Sequence, residues 1–135
     1  MSAELDNLVK VDRLTRFTPS AAELMSLRLS GRRRLQDGGS EALALESRFD
    51  LAYNGVFALA LSALHAKGYR PRDRHDALQT LAHTTTLGLG HRQVILKAHT
   101  MRNQVEYEGG EVSDRRLLTD LLAAGAALAA LLPDP

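Results

Sequence analysis

The sequence contains no cysteine and no tryptophan, and its aromatic side chains are three phenylalanines and three tyrosines. The missing thiols exclude disulfide frameworks, zinc–thiolate sites and cysteine nucleophiles. So few aromatics exclude a platform on which several bases stack in succession. The first residues are polar and acidic, without the apolar core of a signal peptide, and position 2 is not the glycine that myristoylation requires. A long apolar run is also missing. Leu117 to Leu132 comes nearest, but Asp120 interrupts it, and a membrane-spanning helix needs about 20 apolar residues. The expectation is a cytoplasmic protein with no membrane segment. Strand signals are equally scarce: the one β-branched run, Thr84-Thr85-Thr86, sits beside Gly88 and Gly90.

What the chain does have is alanine, leucine and enough apolar residues, 44% of 135, to build the core of one domain. The spacing predicts six helices. The first covers residues 3–16. The second opens at Thr18-Pro19 as cap and first helical residue, and runs to Arg32-Arg33-Arg34 before Gly38-Gly39. The third and longest covers 40–67, with Leu45, Phe49, Ala52, Val56, Ala60 and Leu64 along one face. Helices over 73–87 and 91–107 follow, separated by Gly88-Leu89-Gly90. A last helix, capped within Val112-Ser113-Asp114, runs to Leu132 and stops at Pro133. Short connections favour antiparallel neighbours. The expected fold is therefore all-α: an up-down four-helix bundle over 40–135, preceded by a helical extension over 1–39. Leu117, Leu118, Leu121, Leu122, Ala126 and Leu128 should pack either within the bundle or across a dimer.

Charge is balanced overall, at +1, but unevenly placed. Residues 65–102 hold seven Lys and Arg against two acids, together with all five histidines; residues 103–135 hold two Arg against six acids. A basic middle permits a local phosphate-binding patch, for which Arg70, Arg72, Arg74 and Arg92 are the candidates. The arginines at 32–34 suit a helix end. Histidines 75, 83, 91 and 99 recur every eight residues, yet no pair stands at i, i+3 or i, i+4, so no metal site is expected. No HExxH, Gly-rich phosphate loop or Gly-x-Ser-x-Gly is present, and no cofactor is implied.

The fifth helix carries the most suggestive grouping. At about 100° per residue, Val94, Ala98, Met101 and Val105 share one side, while His99, Arg102, Asn103, Glu106 and Tyr107 share the other. An arginine forks onto phosphate, and Asn and His each donate or accept. The same residues also allow a plain surface ion pair, Arg102 with Glu106, worth about 0.3–0.5 kcal/mol.

Over about residues 40–132 the chain resembles a HEPN domain. The likeness is carried by Glu46-Ser47-Arg48-Phe49-Asp50-Leu51-Ala52-Tyr53-Asn54-Gly55-Val56-Phe57, the Gly68-Tyr69-Arg70-Pro71 turn and Arg102-Asn103-Gln104-Val105-Glu106-Tyr107. The resemblance implies an α-helical up-down bundle that dimerises. Many such proteins are metal-independent ribonucleases of toxin–antitoxin, CRISPR or phage-defence systems; others are inactive, or partner a small nucleotidyltransferase. Active members have an Arg, a polar residue and a His four to six residues after the Arg. Here Arg102-Asn103 matches the start, no His follows, and Tyr107 stands where it would be. A phenol, with a pKa near ~10, is a far weaker base at neutral pH than an imidazole near ~6.5. His99, one turn earlier, is the candidate substitute. The expectation is a homodimeric, non-catalytic or weakly active component that binds RNA, an antitoxin or a nucleotidyltransferase through the Arg-Asn-x-x-x-Tyr face. The alternatives are a metal-independent endoribonuclease using Arg102, Asn103 and Tyr107 or His99, and a helical scaffold.

Overall fold

The computed structural model describes residues 2–110 and 113–134; Val112, the first residue of the expected capping segment, lies outside them. Among the described residues the chain is mostly helical. It forms α1 (Ala3–Lys10), β1 (Leu14–Arg16), α2 (Ala21–Gly38), α3 (Leu45–Ala66), β2 (Tyr69–Pro71), α4 (Arg74–Gln79), α5 (Leu81–Thr84), α6 (Leu89–Glu108) and α7 (Arg115–Ala130). No described helix is long and apolar enough to cross a membrane.

The first expected helix is cut short. α1 ends at Lys10 because Asp12 turns into the left-handed region at φ 62°, a conformation aspartate tolerates better than most residues. The chain then enters β1, which pairs antiparallel with β2, setting Leu14 against Pro71 and Arg16 against Tyr69. That pairing is non-local, which is why three-residue strands left no trace in the sequence pattern. The cap of α2 is Ser20, not Thr18: its hydroxyl accepts from the Glu23 amide while Glu23 returns to the Ser20 amide, a reciprocal capping box. α3 starts at Leu45, five residues later than expected, after a turn in which the Leu43 amide donates to the Ser40 carbonyl. The helix expected over 73–87 is broken into α4 and α5, with Thr80 turning its hydroxyl onto the carbonyls of Asp76 and Ala77. Asp114 caps α7 as expected, accepting from the Leu117 amide at 2.9 Å.

α3 is the element on which the others assemble, and α2 lies along it more extensively than any other neighbour does. Glycine makes that approach possible. A methyl group on Gly55 would lie 2.9 Å from the Gly31 carbonyl oxygen and 3.0 Å from Leu35 Cγ, so neither helix has room for a larger residue at this crossing. Leu35 in turn fills the space over Gly125 of α7. Arg32 donates to the carbonyls of Ala129, Leu132 and Pro133. The helix end it neutralises is thus that of α7, and α2 itself ends at Gly38. The segment expected as an extension therefore lies against the helices that follow it.

Phe49, Tyr53, Val56 and Leu59 of α3 are fully buried among Leu78, Leu81, Ile95, Leu121 and Leu128. Leu117 and Leu118 join this core and Leu122 is half-buried, whereas Ala126 faces outward. A second, smaller core of Leu5, Leu14, Leu64 and Tyr69 seats α1 and the strand pair on the C-terminal end of α3. Arg13, the residue before β1, forks onto both oxygens of the buried Asp76 and so fastens the start of the strand to α4.

Gly55→Ala is expected to lower stability by about 1–3 kcal/mol in urea denaturation, because the added methyl meets the backbone of Gly31 and Leu35 as well as the Leu35 side chain. Gly90→Ala, with nothing within 4 Å of the new methyl, is expected to raise the urea midpoint.

Candidate functional site

α6 runs past α4 and α3 with Arg102, Asn103 and Tyr107 on one stretch of its surface, and α4 supplies Arg74 and His75 opposite. Between them is an open groove of about 560 Å³, whose walls also include Asp73, His99 and Glu106. A second hollow of about 470 Å³ shares His75, His99, Asn103 and Tyr107 and extends to Thr100 and Glu108.

His99 departs from its expected place. The helical wheel puts it on the polar side of α6, yet it is only 9% exposed. The reason is Tyr53, a fully buried α3 residue whose hydroxyl lies 2.7 Å from His99 Nδ1, with the rings stacked at an interplanar angle of 18°. The other ring nitrogen, Nε2, lies 3.2 Å from the Asn103 side-chain nitrogen. In the neutral imidazole one ring nitrogen donates and the other accepts, and the Tyr53 hydroxyl and the Asn103 amide can each take either part. Both nitrogens are thus engaged. Burial pushes the His99 pKa below the ordinary imidazole value, and the nearby His75 and Arg102 charges push it the same way. A neutral, doubly bonded imidazole holds Asn103 in position; it is not poised to take a proton from a substrate. Burial likewise raises the Tyr53 pKa, against the opposing pull of Arg74 and Arg102, so the phenol stays protonated.

Arg102 lies with its guanidinium carbon 5.0 Å from the Tyr53 ring centre and donates to Glu106 at 3.2 Å. The surface ion pair expected at i, i+4 is therefore formed, with the arginine largely covered and Glu106 exposed. Tyr107 is 88% exposed at the rim of the groove, free to contact a ligand.

The four arginines of the basic patch go separate ways. Arg74 reaches the groove. Arg70 lies over the Phe17 ring at 4.1 Å, on the strand pair. Arg72 sits 3.8 Å from Asp73 and 3.9 Å from Asp76, within reach of their carboxylates. Arg92 donates to the Leu87 carbonyl at 3.0 Å, bracing the turn before α6. His75, which the eight-residue histidine spacing did not single out, proves to be the exposed imidazole of the groove, its ring centre 5.9 Å from that of His99. Only the short α4, with its Asp73 cap, places it there, so no spacing within α6 could have revealed it.

Asp73, His75 and Asp76 bring potential ligand atoms within 4.8 Å of one another. Their chemistry does not suit a cation, because Arg13 already occupies both Asp76 oxygens and Asp73 accepts the Asp76 amide to cap α4. That amide bond also lowers the Asp73 pKa. No protein-family model, curated protein or solved structure matches the chain.

Two histidines, His99 and His65, have pKa values lowered by burial. Their unfolded forms bind protons more readily than their folded forms, so stability is full above the unfolded value of about 6.5 and falls as pH drops through the lower folded values. The expected result is a urea midpoint lower at pH 5.5 than at pH 7.5, with a smaller pH difference in His99→Gln.

Proposed function

We propose that this chain is a HEPN-like protein whose groove binds single-stranded RNA, acting as a non-catalytic or weakly active component of a toxin–antitoxin or defence-type system. The observation that carries the reading is the composition of one open groove. Arg102 and Arg74 supply fixed positive charge, Asn103 a positioned amide, His75 a polar ring and Tyr107 an exposed aromatic face. Phosphate contacts from arginine give affinity without sequence choice, and a single exposed ring suits one unstacked base. The residues that would carry a proton explain the weak or absent catalysis. Tyr107 is a phenol, and His99 has both ring nitrogens bonded. In this reading the chain is cytoplasmic, works as a homodimer and pairs with an antitoxin or a small nucleotidyltransferase.

One observation favours a second reading, the metal-independent endoribonuclease. His75 puts an exposed imidazole in the same groove as Arg102 and Asn103, and an imidazole can serve as general base for a ribose 2′-hydroxyl.

A labelled single-stranded RNA in chelator-containing buffer separates the two. Anisotropy should show binding that Arg102→Ala weakens roughly tenfold or more, the usual loss on removing a charge-assisted phosphate contact. Gel analysis of the same samples should show intact RNA. Cleavage that depends on both Arg102 and His75 would establish the endoribonuclease, and absence of any binding would refute the proposal.

A further inference from the structure

Arg74 and Arg102 come from different helices, α4 and α6, yet both lie near one buried ring and line one groove. Their guanidinium carbons lie 5.8 Å and 5.0 Å from the Tyr53 ring centre, and Arg74 also covers Phe57 at 4.5 Å. Arg74 is held by a neutral partner: it donates to Asn54 Oδ1 at 3.1 Å, and Asn54 is itself anchored to the Asp50 carbonyl at 2.9 Å. Among the described residues Arg74 forms no salt bridge, whereas Arg102 has only the exposed Glu106. Asp73, the other acid on the groove, is engaged by the Asp76 amide and lies 3.8 Å from Arg72. Two guanidinium groups thus lie on aromatic faces in a partly covered groove, whose walls also carry the exposed carboxylates of Glu106 and Asp73. Like charges so placed repel, and an anion seated between them removes the repulsion while accepting from both forks.

We propose that Arg74 and Arg102 together hold a single phosphoryl group, with the Asn103 amide and the His75 ring beside it. The inference rests on the RNA-binding reading of the groove and names the group that the groove recognises. A nucleotide phosphoryl is the chemical class, supplied either by a free mononucleotide or by the backbone of an RNA strand.

The test is a titration of the full chain, followed by amide chemical shifts, with uridine monophosphate and separately with an octauridylate lacking terminal phosphates. Wild type is compared with Arg74→Gln, Arg102→Gln and the double variant. Arg74→Lys, which keeps the charge but loses the fork, serves as a variant with the least risk to folding. Each single Gln variant is expected to weaken binding roughly tenfold, and the double variant to lose much less than the product, because both arginines share one anion. Mononucleotide binding that depends on both arginines, without tighter binding of the octamer, would support the shared phosphoryl site and refute the RNA reading. Octamer binding unchanged by Arg74→Gln would overturn the shared site and leave the RNA reading standing. Strictly multiplicative losses would overturn the sharing of one anion, and no binding of either probe would overturn both.

Discussion

The arrangement of the groove depends on a hydrogen bond that lies beneath it. Tyr53 is part of the core, with no useful exposure, yet its hydroxyl meets His99 Nδ1 at 2.7 Å. A buried phenol and a buried imidazole are each costly to leave without partners, by about 1–3 kcal/mol for an unsatisfied group, so each fixes the other. Through Nε2 the contact passes to Asn103, and through the face of the Tyr53 ring it seats Arg102 and Arg74. One core residue of α3 therefore sets the positions of side chains from both α4 and α6. The charge of the groove is held by packing rather than by flexible surface side chains.

That foundation needs α3 to be rigid and closely backed, and the glycines provide the backing. Gly31 and Gly55 let α2 lie directly on α3, and Leu35 closes the gap toward Gly125 of α7. Arg32 completes the contact by binding the last carbonyls of α7. On the far end, Arg13 and Asp76 tie the strand pair to α4, which in turn carries Arg74 and His75. An ion pair of this half-buried kind adds little net stability in general, but it fixes orientation, and here the helix it orients is the second wall of the groove.

Helical class, the extent of α6 and α7 and the Asp114 cap were legible from periodicity and capping residues, because these are local properties of the chain. The departures arise where a distant partner decides the outcome. His99 lies on the polar side of its helix by angle alone and is buried by Tyr53, a residue from another helix. The strand pair exists only because residues 14–16 find residues 69–71. Arg102 and Asn103 were visible as a motif within one helix. Arg74 was named as one of four phosphate-binding candidates, but its place beside Arg102, and that of His75, was hidden because α4 reaches the groove through tertiary packing. Gly31 was hidden for a related reason: a glycine inside a helical pattern looks like a weakness until the neighbouring backbone is in place.

The central claim is that His99 is a neutral brace for the groove and not a base. Nitrogen-15 NMR of the histidine ring, recorded from pH 8 to pH 5 with and without single-stranded RNA, tests this at the atoms concerned. The expected result is a single neutral tautomer that persists below the ordinary imidazole pKa of about 6.5. A His99 ring that titrates at or above that value, or that exchanges between tautomers when RNA is added, would contradict it.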